Sequence, residues 1–422
     1  MKILWVKAGG LVPLDSGGKI RSFNILKELA RKHDITLYTY YGEHTNDTHR
    51  NLESLFERVI CRPMKIPPPR SLADYTNYAR HFFSLHPHSM TRYYRRGILQ
   101  ELRNLAQPES YNVIVCDFLV PARVIPWEVS YPKVLFTHNV EAAIYRRQYE
   151  TTRNPFWKLV AWREYRLTKR IECRYLRQAD HVLTVSDTDR QVFVDVIGSS
   201  KITTIPTGVD VEYFHPENEA GPNKTLVFTG SMDYQPNEDA MLFFVKEVFP
   251  RIRSRVPEVS LLIVGRGPSS KVRSLATSDQ KIQVTGTVED VRPYITRGAV
   301  YVVPLRIGSG TRLKIFEAMA MAKAVVSTSV GAEGLPIRDG VDILIADSAD
   351  DFALRVTSLL EDPSLARSLG KAARQLVEQK YSWAVVTNQF ESALRQLMEE
   401  KGMLPPVCRA LDDSRRWEEP IS

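Results

Sequence analysis

Cysteine is scarce in this chain. Its 422 residues hold four, Cys61, Cys116, Cys173 and Cys408, scattered and in no C-x-x-C pair. That spacing argues against a disulfide framework or a thiolate zinc site, and suits a reducing compartment. Long apolar runs are missing too. None approaches the roughly 20 residues that span a bilayer, so an integral membrane protein is not expected. The opening MKILWVKAGG is too short an apolar stretch for a secretory signal and turns at once into a glycine-rich loop. No internal repeat or low-complexity block is present. Acidic residues at metal-ligand spacing are few. Asp187-x-Asp189 is one such pair, but Ser186 before it reads as an N-cap, with the aspartates complementing the helix dipole. No metal is expected.

What is present fits a soluble α/β protein. A chain of 422 residues exceeds one ordinary core and suits two domains of about 200 residues each. The net charge of +8 is uneven: residues 1–200 hold 30 Lys and Arg against 20 Asp and Glu, and the remainder 27 against 29. An anionic partner would therefore meet the first half, although a solvated basic surface explains the charge equally well. Nucleic acid is not expected as a partner, since no recognition motif accompanies the charge.

Short β-branched runs alternate with helical patterns in both halves. KILWV, ITLYTY, NVIVC, KVLF and HVLTV read as strands in the first, and KTLVFT, VSLLIVG, KIQVTG, AVYVVPL and AVVST in the second. Continuous apolar strands between helices imply buried parallel sheets, hence two doubly wound domains. The expected boundaries are 1–205 for the first domain, 206–223 for a Pro/Gly/Asn-rich linker and 224–381 for the second domain. A helix over 382–400 and a loosely ordered tail over 401–422 complete the chain.

In open α/β sheets ligands bind at the carboxyl ends of strands, which singles out certain loops. Gly17 and Gly18 lie between the first strand and an amphipathic helix, where backbone amides can approach a phosphate or sugar. A simple strand-to-helix turn is the competing explanation. His138 in VLFTHNVEAAIYRR lies just past a buried strand. The most informative stretch is RIGSGTRLKIFEAMAMAK, residues 306–323. It reads as a glycine loop opening a helix, capped by Ser309 or Thr311, with Arg312 and Lys314 in its first turn. Cations there oppose the helix dipole unless an anion binds. Lys314 and Glu317, three apart, share a helix face, and Glu317 can accept hydrogen bonds from vicinal hydroxyls such as those of a ribose. A surface Lys314–Glu317 pair is the plainer alternative, but it leaves the glycines unexplained.

From the glycine loop to about residue 395, the chain resembles the family-4 retaining glycosyltransferases of the GT-B fold, also called glycosyl transferases group 1. The matches run in the family's order: DSGGKIRSFNILKELA, FTHN, ADHVLTVSD, ITTIPTGVDVEYFHP, LVFTGSMDYQPNEDAMLFF, VTGTVEDVRPYI, PLRIGSGTRLKIFEAMAMAKAVVST and GAEGLPIRDGVDILIADSADDFA. The resemblance implies two Rossmann-like domains facing across a cleft and a nucleotide-sugar donor held mainly by the second. It implies that Glu317 binds the ribose and that Gly308, Ser309, Gly310 and Thr311, with the helix behind them, hold sugar and pyrophosphate. The backbone at Thr287 and Val288 would flank the base, His138 would contact the donor sugar, and Gly17 and Gly18 would close over the phosphates. Gly230 belongs to the loop after the second domain's first strand.

Two departures from the family pattern stand out. Ser309 occupies the position of the first of two glutamates that many relatives carry eight residues apart. The Arg and Lys that many relatives place after the second domain's first strand are also missing, with no cation between Gly230 and Lys246. Lys314 and Arg312 are expected to supply the charge instead.

The expected function is retaining, metal-independent transfer of a sugar from a UDP- or GDP-linked donor, with no cofactor beyond that donor substrate. The acceptor would be a glycan or a polyprenyl-diphosphate-linked glycan in surface polysaccharide synthesis. The expected location is cytoplasmic. Aromatic residues mixed with cations in RHFFSLHPHSMTRYYRRG and NPFWKLVAWREYRLTKRIECRYLRQ suit peripheral contact with an anionic membrane, or equally helices packed through aromatics with solvated arginines outside. A non-catalytic nucleotide- or carbohydrate-binding subunit and a sugar-nucleotide epimerase of similar fold are the rival readings.

Overall fold

Segments such as Ile3–Val6, Val113–Cys116 and Val300–Val303 are buried at every residue. Such strands fit only the middle of a sheet covered on both faces. The computed structural model describes residues 1–41, 51–68, 71–216, 223–307 and 312–403, and contains two such sheets. The first comprises β1 (Lys2–Ala8), β2 (Asp34–Tyr41), β3 (Arg58–Pro63), β4 (Val113–Asp117), β5 (Lys133–Phe136), β6 (His181–Thr184) and β7 (Ile202–Thr204). Its order is β3-β2-β1-β4-β5-β6-β7, with all neighbours parallel. The second comprises β8 (Thr225–Thr229), β9 (Ser260–Val264), β10 (Ile282–Val284), β11 (Val300–Val303), β12 (Ala324–Ser327) and β13 (Leu344–Ile345). Its order is β10-β9-β8-β11-β12-β13, again parallel.

Three of these strands are not among those read from the sequence. β3 holds its short apolar run, Val59–Cys61, between Arg58 and Arg62, while β7 and β13 span only three and two residues. Each lies at or next to a sheet edge or pairs briefly, where little burial is needed to hold it.

Chain order reverses between β1 and β4 in the first sheet and between β8 and β11 in the second. These are the switch points at whose carboxyl ends open α/β sheets bind ligands.

Two chain crossings link the sheets and run side by side. The Val209 amide donates to the Tyr381 carbonyl at 2.7 Å, and the Trp383 amide donates back to Val209 at 3.3 Å. The helix Trp383–Glu400, N-capped by Ser382, then lies on the first sheet. Phe390 stacks on Trp5 with centroids 5.5 Å apart and meets Phe136 edge-on at 5.2 Å. Residues 217–222 of the expected linker and 404–422 of the expected tail lie outside the described residues. Among the described residues no helix is long and apolar enough to cross a membrane.

Candidate active site

The second domain's switch point is built around Lys314. β8 ends at Thr229, and Gly230 follows. The helix Leu313–Ala320 rises beside it, buried through Ile315, Phe316, Ala318, Met319 and Ala320. Lys314 is left half-buried over the end of β8, its Nζ 4.2 Å from the Phe228 ring centroid and donating to Asn237 Oδ1 at 2.9 Å. Gly230 makes room for this arrangement. A Cβ there would lie 2.7 Å from Lys314 Nζ and 2.8 Å from Asn237 Nδ2. Burial pulls the Lys314 ammonium down to about 7, with Glu317 opposing the shift, and burial pushes the Glu317 carboxyl up to about 7, with Lys314 opposing. Among the described residues no side chain hydrogen-bonds the Glu317 carboxylate. A surface ion pair between the two is therefore not what the structure contains: Lys314 is turned to Asn237 instead.

The start of this helix differs from the sequence expectation. Arg312, with φ 49°, occupies the N-cap in the left-handed region, and the helix begins at Leu313. Arg312 thus precedes the first turn and itself takes the N-cap position. Gly308, Ser309, Gly310 and Thr311 themselves lie outside the described residues. The Arg312 guanidinium is largely buried and reaches Glu333 at 3.5 Å. Thr287 and Val288 follow β10, two strands out from the switch point, or about 10 Å at ordinary strand spacing.

The first domain's switch point holds a buried polar cluster. Asp117, the last residue of β4, accepts from Trp5 Nε1 at 2.9 Å, Lys7 Nζ at 2.9 Å and His138 Nε2 at 2.8 Å. Lys7 also donates to Ser22 Oγ at 3.1 Å, and Ser22 to the Gly18 carbonyl at 2.9 Å, which ties the glycine turn into the cluster. Burial alone would raise the Asp117 carboxyl. The Lys7 charge and the bond from His138 outweigh it and hold Asp117 well below the usual carboxylate range. Burial lowers His138 to about 3, against the pull of Asp117, so its imidazole is neutral. An ionised carboxylate only accepts, so Nε2 carries the proton. Among the described residues Nδ1 is a buried acceptor with no partner.

Gly18 acquires a reason different from phosphate approach. Phe118 stacks on His138, and a Cβ at Gly18 would lie 2.4 Å from the Phe118 ring. Gly17, at the helix start, is half-buried.

Sequence reasoning missed three members of this cluster: Lys7, Asp117 and Arg21. The first two had a signal, being charged residues at the carboxyl ends of apolar strands. Arg21 had none, since its place on an amphipathic helix looks like solvent exposure. It is fully buried, packs over Phe136 at 4.3 Å and donates to the carbonyls of Thr137 at 3.0 Å, Thr184 at 3.4 Å and Ile205. One guanidinium thereby holds the chain where β5, β6 and β7 end.

A cavity of about 330 Å³ lies between the two domains, lined by the loops after β5, β6, β7 and β12 and by the start of the helix Leu313–Ala320, with Gly18, Gly230, Lys314 and Glu317 outside its lining. His138, Arg147 and Asp189 line it from the first domain, and Arg312, Phe316 and Glu333 from the second. The metal-pair alternative for Asp187 and Asp189 meets a plainer arrangement: Ser186 Oγ accepts the Asp189 amide at 3.1 Å, and Asp187 accepts from Thr204 at 2.6 Å.

Comparison with known proteins bears on this architecture. Residues 16–213 match the model of Glycosyltransferase Family 4, and residues 223–362 that of Glycosyl transferases group 1. The chain belongs to glycosyltransferase family 4. A phosphatidyl-myo-inositol mannosyltransferase of Mycolicibacterium smegmatis is 31% identical over 217 residues, 49% of this chain and 55% of that protein. The chain thus matches about half the length of that relative. Sucrose-phosphate synthase from Thermosynechococcus elongatus superimposes with a TM-score of 0.68 at 18% identity, covering 94% of this chain and 99% of the other. Anabaena HepE in complex with UDP gives 0.64 at 13% identity, covering 94% and 100%. The family-4 chain therefore has the GT-B architecture, two Rossmann-like domains facing across a cleft.

Proposed function

We propose that this family-4 chain is a retaining glycosyltransferase that moves a sugar from a UDP- or GDP-linked donor to a glycan or polyprenyl-diphosphate-linked acceptor. Its setting is surface polysaccharide assembly on the cytoplasmic side of a membrane it contacts peripherally. One observation carries the reading. Glu317 offers a half-buried carboxylate with no side-chain partner among the described residues, one helical turn from a lysine held over the end of β8. That is a site for vicinal hydroxyls beside a site for an anion.

In this reading Glu317 accepts hydrogen bonds from the ribose and the backbone at Thr287–Val288 flanks the base. Lys314 and Arg312 face the diphosphate, together with the amides of the loop Gly308–Thr311. Gly17 and Gly18 close over the phosphates, and His138 contacts the donor sugar. The acceptor hydroxyl attacks the anomeric carbon on the face from which the diphosphate leaves. The bond from that carbon to the diphosphate oxygen breaks, a bond to the acceptor oxygen forms, and the departing diphosphate takes the acceptor's proton. The protein stabilises charge growing on the leaving group and needs no nucleophile of its own. No metal takes part. The lipid in the mannosyltransferase's name and the UDP bound to HepE support the acceptor and donor classes.

The test is calorimetric titration of UDP, GDP and their sugar conjugates into wild type and Glu317→Ala, in the presence of a chelator. One nucleotide binds at micromolar strength, and the variant loses about ten- to a hundredfold, the worth of hydrogen bonds to a charged group. Absence of binding, or equal binding by the variant, removes the ribose role and the reading with it.

A further inference from the structure

We propose that the helix Leu72–Arg80, the turn after it and the N-terminal half of the helix Pro155–Gln178 form one docking face for a bilayer bearing anionic headgroups. The proposal rests on a lipid-linked acceptor and names the surface on which that lipid's membrane lies.

The helix Leu72–Arg80 buries none of its nine residues. Leu72 is 79% exposed, Phe83 in the following turn 93%, and Leu85 63%. Phe156 and Leu159, at 65% and 59%, continue the apolar surface on the second helix. Tyr75 and Trp157 join the two segments, with ring centroids 6.0 Å apart. The exposure is not slackness. The Arg163 guanidinium donates to the carbonyls of His81 at 3.4 Å, Phe82, and Ser84 at 3.0 Å, fixing the turn that presents Phe83. A contiguous apolar patch of this kind on a folded domain marks an interaction surface.

Charge selects the partner. The N-terminal half of the helix Pro155–Gln178 carries Lys158, Arg163 and Arg166, with Lys158 and Arg166 exposed, and the helix's two acids, Glu164 and Glu172, are both buried. Glu164 accepts from Tyr78 at 3.2 Å and from the His88 amide at 2.8 Å, and Glu172 accepts the Glu141 amide at 2.8 Å. Asp74 on the shorter helix is bound to His88 at 3.0 Å. The face therefore offers rings and aliphatic side chains among cations, with its acids turned inward or engaged. Aromatic residues beside Lys and Arg suit the headgroup level of an anionic bilayer. The same helical hairpin reaches the cleft: Ile144, on the helix Glu141–Thr151 that packs against Pro155–Gln178, lines the cavity below His138.

Flotation of the whole chain with vesicles tests this. The vesicles are phosphatidylcholine alone or with about one-third phosphatidylglycerol. Wild type floats with the anionic vesicles and about tenfold less with the neutral ones, and added salt weakens the association. The double variant Phe83→Ser/Trp157→Ser and the double variant Lys158→Glu/Arg166→Glu each lose about tenfold or more, with melting temperature and nucleotide titration unchanged. The proposal is overturned if wild type ignores anionic vesicles or if both variants float as wild type does. It is also overturned if light scattering finds a dimer that Phe83→Ser/Trp157→Ser dissolves, since a second copy then covers the face. Vesicle binding without nucleotide binding would leave the docking face standing and remove the transferase reading; the reverse result would do the opposite.

Discussion

Phe118 lies flat on the imidazole of His138, with ring centroids 3.8 Å apart and planes 5° from parallel. To do so Phe118 adopts a φ of 74°, a left-handed conformation that costs an ordinary residue about 1–3 kcal/mol. The tip of the ring abuts Gly18, and Lys7 Nζ stands 4.5 Å from its centroid. Stack, glycine and lysine together hold His138 in one orientation at the cavity wall.

Gly18→Ala therefore displaces the Phe118 ring. Overpacking of this kind costs about 1–3 kcal/mol, read as a lowered denaturation midpoint. Transfer falls by about tenfold or more as His138 loses its support, and nucleotide affinity falls less, since most of the proposed donor contacts lie in the other domain. Unchanged nucleotide affinity would remove the proposed closure of the glycine turn over the phosphates.

Asp117→Asn leaves Lys7 charged and unpaired in a buried site, a change worth about 3–5 kcal/mol. It also changes the acid response. The folded-state carboxyl of Asp117 is depressed, so its contribution is complete above the unfolded value near about 4 and is lost as pH falls below it. His138, lowered to about 3, acts in the same direction. The unfolded chain binds its proton first as pH drops from about 6.5, so stability falls from there down to about 3. Melting temperatures between these pH values should fall steeply in wild type, and less steeply in His138→Gln.

Lys314, at about 7 in the free protein, is largely neutral at pH 8. A diphosphate prefers the ammonium, so binding takes up a proton and affinity falls up to about tenfold per pH unit above 7. Titrations in buffers of different ionisation enthalpy measure that uptake directly. Lys314→Met should bind weakly and lose the fall in affinity above pH 7, leaving the titration of Glu317 alone, and a wild-type profile without that fall would place the diphosphate elsewhere.

Arg21 is a positioning residue, since it meets the carbonyls of Thr137, Thr184 and Ile205 rather than any ligand. The segments it holds carry His138, Ser186 and Thr207 to the cavity. Arg21→Lys keeps the charge and part of the bonding; Arg21→Met keeps neither. The expected order of acceptor turnover is wild type, then Lys, then Met, with losses of about tenfold between steps and UDP or GDP affinity unchanged. A purely structural role would lower both measurements together.

Much of this was legible along the chain, and the reason is physical. Parallel strands buried on both faces need continuous apolar runs, so KILWV and AVYVVPL announced themselves, and local periodicity marked the helices between them. Lys314 and Glu317 were readable as neighbours because three residues of helix place them on one face. β3 and β13 were not readable, because pairing at an edge requires no local pattern.

The sequence by itself determined two doubly wound domains, the loops at their strand ends and the spacing of Lys314 and Glu317. All of these follow from interactions between residues close in the chain. Only the tertiary structure decided that Arg21 is buried, that Asp117 gathers Trp5, Lys7 and His138, that Gly18 exists beside Phe118, and that Tyr75 meets Trp157. Those partners lie far apart in sequence, and burial, which sets both their charge states and their exposure, belongs to the packed molecule rather than to any stretch of it.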